Sequence, residues 1–561
     1  MAELDGIELL VTILVLLIIV PILGTYMAYI FSDSLPKIRV FSSIEQAIYR
    51  FSGIHPTVEM DWKTYAKALF CFNGIGFLFV WILQLTQQWL PFNPQQLPSV
   101  NPLLALNTAI SFATNTDWQA YRGENTLSYL SQFLGLAVQN FASAATGNAI
   151  LLALIRGIKR SSGLIGNFWV DVTRAIVYLF LPLSIFLSLL LVSQGTIQNF
   201  QPYQEAVQWE GEKQLLPMGP VASQVAIKQL GTNGGGFFNA NSAHPFENPT
   251  PLSNFFELIA IFSIPVSSVY MYGILVNSRK QSIAILGVMS TFFILAAAIS
   301  LYYEWQPNPV LEYYPVLEGK EMRFGVTNSA FWSVATTAIS HGSMNTAMDS
   351  LSPMAGGVSL FLMLMGGTIF GGIGVGLAVM LLYILLAVFL AGLMVGRSPE
   401  YLGKKIEKRE MQWTIFAILI PCLLILLGTS LSLSIPSAVA ALKNKGPHGF
   451  TEMLYAFTSS TVNNGSSFKG LQADTPYFNL ILGFCVLVGR ATTLLSSLAI
   501  AGNLSQKNLV AVSAGTLKTN TFLFSILLMA LLLIMTVLTF FPALALGPIV
   551  EHILMREGQS F

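Results

Sequence analysis

The sequence predicts an all-α polytopic membrane protein with about ten transmembrane helices. Of its 561 residues, 54% are hydrophobic and only 10% are charged, whereas water-soluble domains carry about 25% charged residues. Apolar runs of about 20 residues, long enough to cross a bilayer, recur along the whole chain. Four short polar stretches interrupt this pattern. Composition therefore indicates a membrane protein, and the four polar stretches are the features from which its function can be predicted.

No stretch between the apolar runs is long enough, or mixed enough in composition, for a separate soluble catalytic domain. The run at 358–395 is much longer than the others and is rich in glycine, which indicates a break within it. The predicted spans lie near residues 7–30, 65–90, 127–155, 170–193, 254–277, 283–303, 358–395, 413–435, 477–500 and 522–548.

The four polar stretches share one context. Each follows a segment of about a dozen residues, too short to cross a bilayer, and precedes a full-length apolar run. Potassium-channel pores have the same order of elements: a span, a short half-helix, a loop rich in Gly, Thr or Asn, and a second span. In those pores the loop carbonyls replace the hydration shell of the ion. Four copies in one chain predict a pore with four-fold pseudosymmetry. The stretches are residues 114–117 (TNTD), 231–236 (GTNGGG), 340–343 (SHGS) and 461–466 (TVNNGS).

Division at the basic loops predicts four pore units flanked by an extra helix at each end. The segments are residues 1–59 (first helix and cytoplasmic connector), 60–160, 161–281, 282–410 (with the long glycine-broken helix) and 411–505 as pore units one to four, and 506–561 (connector and last helix).

The half-helices should point their C-termini at the pore centre, where the negative end of the helix dipole favours a cation. Prolines and capping side chains mark their starts. The predicted starts are Asn101 with Pro102, the segment 217–220, Thr327 with Asn328, and His448 with Gly449; the predicted ends are Ala113, Leu230, Thr337 and Ser459.

Basic residues fall in alternate loops, which the positive-inside rule assigns to the cytoplasm. The opposite loops are acid-rich, and all four polar stretches then lie on the outer side, as do both termini. The cysteines, Cys71, Cys422 and Cys485, lie inside apolar runs without a Cys or His partner. They therefore predict neither a disulfide nor a metal site.

Glycines Gly234, Gly342 and Gly465 occupy equivalent places in loops two, three and four, where they let backbone carbonyls point inward. Loop one has Asp117 instead, so the filter should be asymmetric. Asp117 either caps neighbouring amides or faces the mouth, and Gln119 either packs in the wall or contacts entering ions. His341 offers its carbonyl with the ring behind the filter, or lines the pore with a titratable ring.

Two features lie below the predicted filter. A cluster that includes Gly371, Gly372, Gly374 and Gly376 predicts a helix break that could serve as a gate or side portal, with close helix packing as the other explanation. Arg490 is an arginine firmly inside an apolar span. It either repels cations from passing straight through or snorkels to a membrane surface.

An integral-membrane enzyme would need converging acid, base or nucleophilic groups, and no such constellation appears at a useful spacing. The chain also lacks an Asp-Lys-Thr-Gly string and a Gly-Lys pair followed by Ser or Thr. We therefore expect a non-catalytic protein without an organic cofactor. If ATP drives transport, another chain must bind and hydrolyse it.

With these motifs assembled, the chain closely resembles the potassium-binding subunit of Kdp-type potassium-transporting P-type ATPases over essentially its whole length. The strings that carry the resemblance are residues 114–119 (TNTDWQ), 231–236 (GTNGGG), 396–405 (GRSPEYLGKK) and 463–466 (NNGS).

The resemblance implies that K⁺ is the substrate ion, taken from outside and passed through an intramembrane tunnel to a separate P-type ATPase catalytic subunit. A small single-span subunit and, in some species, a very short membrane peptide would complete the complex in a bacterial plasma (inner) membrane. The glycine-rich break would be the gate and Arg490 the charge barrier. The implied filter residues are Asn115, Thr116, Thr232, Asn233, Gly234, Ser340, His341, Gly342, Asn463, Asn464 and Gly465.

The nearest alternative is a potassium uptake transporter driven by a gradient or by the membrane potential. It shares the four-repeat pore, so the repeats do not discriminate between the two. The extra first and last helices, the glycine-free first loop and Arg490 favour the ATPase subunit.

Overall fold

In the computed structural model, ten helical segments of the described residues are long and apolar enough to cross a membrane. The structure describes residues 2–32, 39–209, 211–311, 314–396, 398–510 and 517–559. Arg397, within one of the family motifs, lies outside this description. The expected all-α architecture of four pore units and two extra helices is confirmed.

The first half of the chain contains the extra first helix, an amphipathic helix and two pore units. The extra helix is α1 (Ala2–Ile30) and the amphipathic one α2 (Arg39–Ser52). Unit one has α3 (Trp62–Thr86), α4 (Pro102–Ala113), α5 (Gly123–Thr126) and α6 (Val138–Lys159). Unit two has α7 (Phe168–Arg174), α8 (Leu181–Ser193), a hairpin of β1 (Gln204–Val207) and β2 (Lys213–Leu216), α9 (Val221–Leu230) and α10 (Pro251–Leu275).

The second half repeats the pattern. Unit three has α11 (Arg279–Glu304), α12 (Gly325–Ala338), α13 (Pro353–Leu364), α14 (Val375–Val395) and a hairpin of β3 (Glu400–Tyr401) and β4 (Lys404–Lys405). Unit four has α15 (Lys408–Leu433), α16 (Pro436–Val439), α17 (Gly446–Thr461) and α18 (Pro476–Ser505). The last span is α19 (Phe522–Leu544), followed by α20 (Val550–Arg556).

Side-chain caps position the starts of several helices. Asn101 Oδ1 accepts a hydrogen bond from Leu103 N at 3.0 Å, and Pro102 opens α4. Thr475 Oγ1 does the same for Phe478 N at the start of α18, at 3.2 Å. Such caps satisfy first-turn donors that would otherwise be unpaired, which is costly away from water. Proline at the first helical position loses nothing, because its missing N–H has no helical partner there.

The four units close into a ring. Helix α18 of unit four packs against α4 and α6 of unit one, α9 of unit two packs against α6, α10 packs against α12, and α13 packs against α17. The extra helices lie outside this ring: α1 packs along α10, and α19 packs against α11 and α14. Gly24 allows the close approach of α1, since a Cβ there would lie 2.9 Å from Ser267 O.

The long apolar run of unit three is interrupted as expected. Helix α13 ends at Leu364 and α14 begins at Val375. Between them Gly366, Gly367 and Gly374 have positive φ angles, a conformation that side chains with a Cβ resist. The break therefore follows directly from the glycine cluster.

Candidate functional site

The four re-entrant helices α4, α9, α12 and α17 end immediately before the four polar stretches, with C-caps at Thr114, Gly231, Ile339 and Val462. The first two match their predicted bounds. Helices α12 and α17 begin two to three residues before the predicted starts and end at Ala338 and Thr461. Gly325 and Gly446 are the first residues of these helices, and their positive φ angles turn the chain at the helix start.

The four loops repeat one backbone conformation. Their first residues, just after the caps, have left-handed φ angles, and so do their third residues, while the second residues between them do not. An L residue rarely adopts this conformation, so four copies in register are not a coincidence of loop geometry. The first residues are Asn115, Thr232, Ser340 and Asn463; the second are Thr116, Asn233, His341 and Asn464; the third are Asp117, Gly234, Gly342 and Gly465.

One main-chain hydrogen bond also recurs in every loop. The N–H of the second residue donates to the carbonyl five residues earlier, inside the preceding helix. The four bonds are Thr116 N to Ser111 O (3.0 Å), Asn233 N to Lys228 O (3.0 Å), His341 N to Thr336 O (2.9 Å) and Asn464 N to Ser459 O (2.8 Å). Each helix end therefore holds its loop in the same way, which makes the four loops structurally equivalent.

The third-position glycines show how the loops contact one another around the ring. A Cβ on Gly234 would overlap the carbonyl oxygen of His341 in loop three. A Cβ on Gly342 would overlap that of Asn464 in loop four, and one on Gly465 that of Thr116 in loop one. Each glycine thus lies against the second carbonyl of the next loop. These three positions need glycine both for the φ angle and for space.

Side chains complete the contact between loops one and two. Asn115 Nδ2 donates to Thr232 O at 2.9 Å, and Asn233 Nδ2 donates to Asn115 Oδ1 at 2.7 Å. The ring of loops is therefore closed on all four sides.

Within the described part of the chain, no hydrogen-bond donor reaches the carbonyl oxygens of Thr116, Asn233, His341 or Asn464. Unpaired carbonyls at membrane depth are tolerated only where something else solvates them, and dehydrated cations do so.

Asp117 makes loop one different, as expected. Its side chain is fully buried, and Asn140 of α6 donates its amide to Asp117 Oδ2 at 2.9 Å in the orientation that satisfies both ends of that amide. Asp117 Oδ1 has no partner among the described residues. Asp117 is also one of the residues that line the cavity outside the filter. Among the described residues, the amide that contacts the carboxylate is the side chain of Asn140, and no backbone amide donates to it.

Gln119 clamps loop one to loop two. Its Oε1 accepts from Gly236 N at 2.9 Å, and its Nε2 donates to Gly236 O at 3.0 Å. Both ends of its amide are therefore engaged with one residue of the neighbouring loop. With Asp117 and Trp118, Gln119 lines a cavity of about 300 Å³ just outside the filter. This position fits the wall of an entrance.

The His341 ring lies behind loop three. It is fully buried, and its Nδ1 accepts from Ser343 N at 3.1 Å, which fixes the ring beside its own loop. The carbonyl of His341 meets Gly234 across the interface between loops two and three. Of the two expected arrangements, the structure has the carbonyl at the filter and the ring packed behind it.

A buried ion pair behind loop two was not anticipated from the sequence. Lys228, in the last turn of α9, bonds Glu247, and Glu247 Oε1 also accepts from Phe238 N at 2.8 Å. Nearby, Glu257 of α10 accepts from Ser242 Oγ at 2.8 Å. The signal was available, since a lysine in a short apolar half-helix needs the same explanation as an intramembrane arginine.

We expect Glu247→Gln to lower the unfolding free energy by about 3–5 kcal/mol, because it leaves the Lys228 ammonium buried without its counter-charge. Both side chains are at most 1% exposed. Thermal unfolding of the purified protein measures the change. The matched control is Glu205→Gln, which breaks the exposed Lys213–Glu205 pair and should cost less than about 1 kcal/mol. Equal effects of the two variants would contradict a special role for the buried pair.

The glycine-rich break lies directly beneath the filter. Thr232 Oγ1, in loop two, accepts from Ile373 N within the break at 2.9 Å. A Cβ on Gly374 would overlap Gly147 O of α6, and one on Gly376 would overlap Gly371. The two explanations offered by the sequence therefore hold together: the helix is broken, and the same glycines allow close packing.

Arg490 lies at the same level. It is 6% exposed and, with Gly372, Gly376 and the loop residues Asn115 and Ser340, lines a cavity of about 20 Å³ below the filter. A Cβ on Gly147 would lie 3.4 Å from Arg490 Nη2, so the guanidinium packs against α6. No carboxylate in the described ranges pairs with it. The side chain therefore points into the protein and does not snorkel.

Known proteins resemble this chain over nearly its full length. The family described as "Potassium-transporting ATPase A subunit" matches residues 10–553. The potassium-transporting ATPase potassium-binding subunit of Herpetosiphon aurantiacus is 51% identical over 565 residues, which cover 97% of this chain and 98% of the relative. The subunit of the same name from Methylibium petroleiphilum is 50% identical over 99% of each chain.

A solved structure shares the fold. The crystal structure of the potassium transporter TrkH from Vibrio parahaemolyticus superposes with a TM-score of 0.51, covering 88% of this chain and 97% of that one. Sequence identity is 14%, so this likeness concerns the arrangement of helices alone. The match over residues 10–553 and the 51% identity go further: this chain belongs to the potassium-transporting ATPase A subunit family.

Proposed function

We propose that this chain is the potassium-binding subunit of an ATP-driven, Kdp-type potassium uptake pump. The observation that carries the proposal is the closed ring of four equivalent loops, whose second-position carbonyls have no donor among the described residues. Such a ring offers several carbonyl dipoles to one dehydrated cation, which is how potassium sites work. Family membership and the curated relatives' name, potassium-binding subunit, support the same ion.

In this proposal potassium enters from the outer side, through the cavity lined by Asp117 and Gln119. The positive-inside distribution of basic loops supports this orientation, with both termini outside and the protein in a bacterial plasma membrane. The ion is then held by carbonyls of the first and second loop residues. The four helix C-termini that face the ring add negative potential there.

Below the filter, Arg490 blocks straight passage, and the break between α13 and α14 acts as the gate. Support comes from their position, since both line the cavity directly beneath the loops. The hydrogen bond from Ile373 N to Thr232 Oγ1 gives the filter a direct contact with the gate. Potassium therefore leaves sideways, through the membrane, toward a separate ATP-hydrolysing P-type subunit. A small single-span subunit and, in some species, a very short peptide complete the complex.

We expect Gly371→Ala to lower potassium-stimulated ATP hydrolysis by the complex about tenfold. Gly371 has a φ of 39°, and a Cβ there would overlap Gly367 O and Gly376 Cα, so the break must change shape. Gly372→Ala is the matched control, because a Cβ there meets nothing closer than Thr232 Oγ1 at 3.7 Å. The rate of hydrolysis at saturating potassium is the measurement. Equal rates of hydrolysis for the two variants would show that the break has no role in the transport cycle.

The second candidate is uptake driven by a gradient or by the membrane potential. The likeness to the TrkH fold supports a four-unit pore, which both candidate functions share, so it does not distinguish between them. The ATPase reading is preferred because the family match covers residues 10–553. This chain itself should be non-catalytic, since its sequence lacks a phosphorylation string and a P-loop.

The proposal is tested on a complex purified from native membranes through a tag on this chain. ATP hydrolysis is measured with and without potassium, and vanadate identifies P-type hydrolysis. We expect potassium-stimulated, vanadate-sensitive activity carried by a co-purifying subunit. A preparation without ATPase activity, from cells whose potassium uptake collapses with the membrane potential, would establish the gradient-driven alternative.

A further inference from the structure

A lysine side chain lies across the cavity outside the filter. The buried residues Asp117 and Gly235 line this cavity next to the loops, and the exposed residues Asn239 and Lys469 line it where it meets the solvent. Lys469 Nζ donates to Asn239 O at 3.2 Å. Lys469 follows loop four and Asn239 follows loop two, so this hydrogen bond joins two pore units over the mouth of the cavity. We call this hydrogen bond the bridge.

The acceptor of the bridge is held in a fixed position. Asn239 N donates to Glu124 Oε2 at 2.9 Å, which attaches the same peptide segment to pore unit one. The two residues before it are also bonded: Phe238 N donates to Glu247 Oε1 at 2.8 Å, and Phe237 O accepts from Gln132 Nε2 at 3.0 Å. The carbonyl of Asn239 is therefore a fixed acceptor at the edge of the cavity.

The backbone on the donor side is fixed as well. Phe468 is 4% exposed, and its ring lies 4.4 Å from that of Tyr455 between centroids. On the other side of Lys469, Gly470 O accepts from Lys443 N at 3.0 Å. Both chain neighbours of Lys469 are thus anchored in unit four. The flexible part of the bridge is the four-carbon stem of the lysine itself.

The ammonium group of a lysine has the chemistry of a competitor for potassium. It is a compact, strongly hydrated point charge with three donors and no acceptor. In the bridge it is bound by a backbone carbonyl oxygen, which is also the type of ligand that replaces the hydration shell of potassium in channel filters. An ammonium at the mouth therefore occupies oxygen ligands and excludes a second cation by its charge.

The residues that line the cavity have balanced formal charges. Asp117 and Asp474 carry carboxyl groups, and Arg122 and Lys469 carry basic groups. Asp474 accepts from Asn479 Nδ2 at 2.9 Å, whereas Asp117 Oδ1 has no partner among the described residues. Loss of the Lys469 charge would leave an acidic excess at the place where a cation enters, and an acidic cleft raises the local concentration of cations.

We propose that Lys469 is a tethered cation that competes with potassium for the entrance cavity and thereby slows potassium entry. The ammonium group lies over the mouth while it is bonded to Asn239 O, and potassium enters when the side chain swings out. This inference rests on the proposed function, in which potassium enters through this cavity. Because Lys469 is exposed, its effect on entry should weaken as salt screens its charge.

The test measures how fast the purified, detergent-solubilised complex takes up radioactive rubidium, by rapid filtration without ATP. We expect Lys469→Gln to raise the association rate about fivefold at an ionic strength of about 0.01 M, where the Debye length is about 30 Å. At about 1 M, where the Debye length is about 3 Å, the difference should fall below about twofold. N-methylglucamine chloride sets the ionic strength. Lys469→Arg keeps the charge and should remain within about twofold of the unsubstituted complex.

Two controls separate the bridge from general surface charge. Lys443→Gln removes an exposed lysine of unit four that lines a different cavity, and it should leave the rate unchanged. Arg122→Gln removes a positive charge that lines the same cavity, and it should have less than half the effect of Lys469→Gln.

Three results would overturn the role of Lys469 alone: an unchanged rate in Lys469→Gln, an equal gain in Arg122→Gln, or a Lys469→Arg variant that behaves like Lys469→Gln. Absence of rubidium binding in the unsubstituted complex would instead overturn the proposed function, and this inference with it. The measurement needs no ATP hydrolysis, so it does not depend on the activity of the partner subunit.

Discussion

Gly234→Asp should lower the apparent potassium affinity of the complex about 100-fold, equivalent to about 3 kcal/mol, with assembly unchanged. A Cβ at this position would overlap the carbonyl oxygen of His341, so that carbonyl must leave the ring. The φ of 85° adds strain, since an L residue in the left-handed region costs about 1–2 kcal/mol. The potassium dependence of ATP hydrolysis measures the affinity, and competition by sodium measures the selectivity.

Gly234→Ala separates the two causes, because it introduces the same Cβ without a charge. We expect it to reproduce most of the loss in affinity, and the carboxylate of the Asp variant to reduce discrimination against sodium further. Gly372→Ala again serves as a neighbouring control with room for its Cβ. Unchanged potassium uptake in Gly234→Asp would show that loop two does not contribute to the ion site.

The order of elements could be read from the sequence, because bilayer thickness imposes a length rule. A run of about 20 apolar residues can span the bilayer, and a run of about a dozen is too short to do so. The glycine-broken helix was predictable for a similar local reason, since glycines such as Gly366 and Gly374 oppose a continuous helix. Predictions of this local kind do not depend on which distant segments of the chain are in contact in the fold.

Contacts between distant segments could not be read in this way. Gly465 packs against Thr116, and Asn463 Nδ2 donates to Thr116 Oγ1 at 2.8 Å. The local sequence of either loop does not indicate that the two loops are in contact. The partner of Asp117 was missed for the same reason, because Asn140 reaches it from the following span. The sequence therefore predicts which loops form the candidate site, whereas the order of the loops around the ring comes only from the fold.

Arg490→Gln should allow potassium to leak through the chain without ATP, at a rate at least about tenfold above that of the unsubstituted complex. The guanidinium lines the cavity immediately below the loops and has no described counter-charge. Two unit charges about 8 Å apart repel by about 2 kcal/mol at an effective dielectric constant of about 20, which corresponds to about 30-fold in rate. Rubidium flux into sealed vesicles without ATP measures the leak.

Charge and packing are distinguished by two further variants at the same position. Arg490→Lys retains a cation and should keep the leak low, although a lysine fills less of the space beside Gly147. Arg490→Met fills much of the volume without charge and should leak like the Gln variant. If Met restores a tight, ATP-coupled complex, Arg490 is a packing residue, and the barrier must come from the break between α13 and α14. If only Lys does so, the positive charge itself diverts potassium from the straight path, and the break serves as the exit.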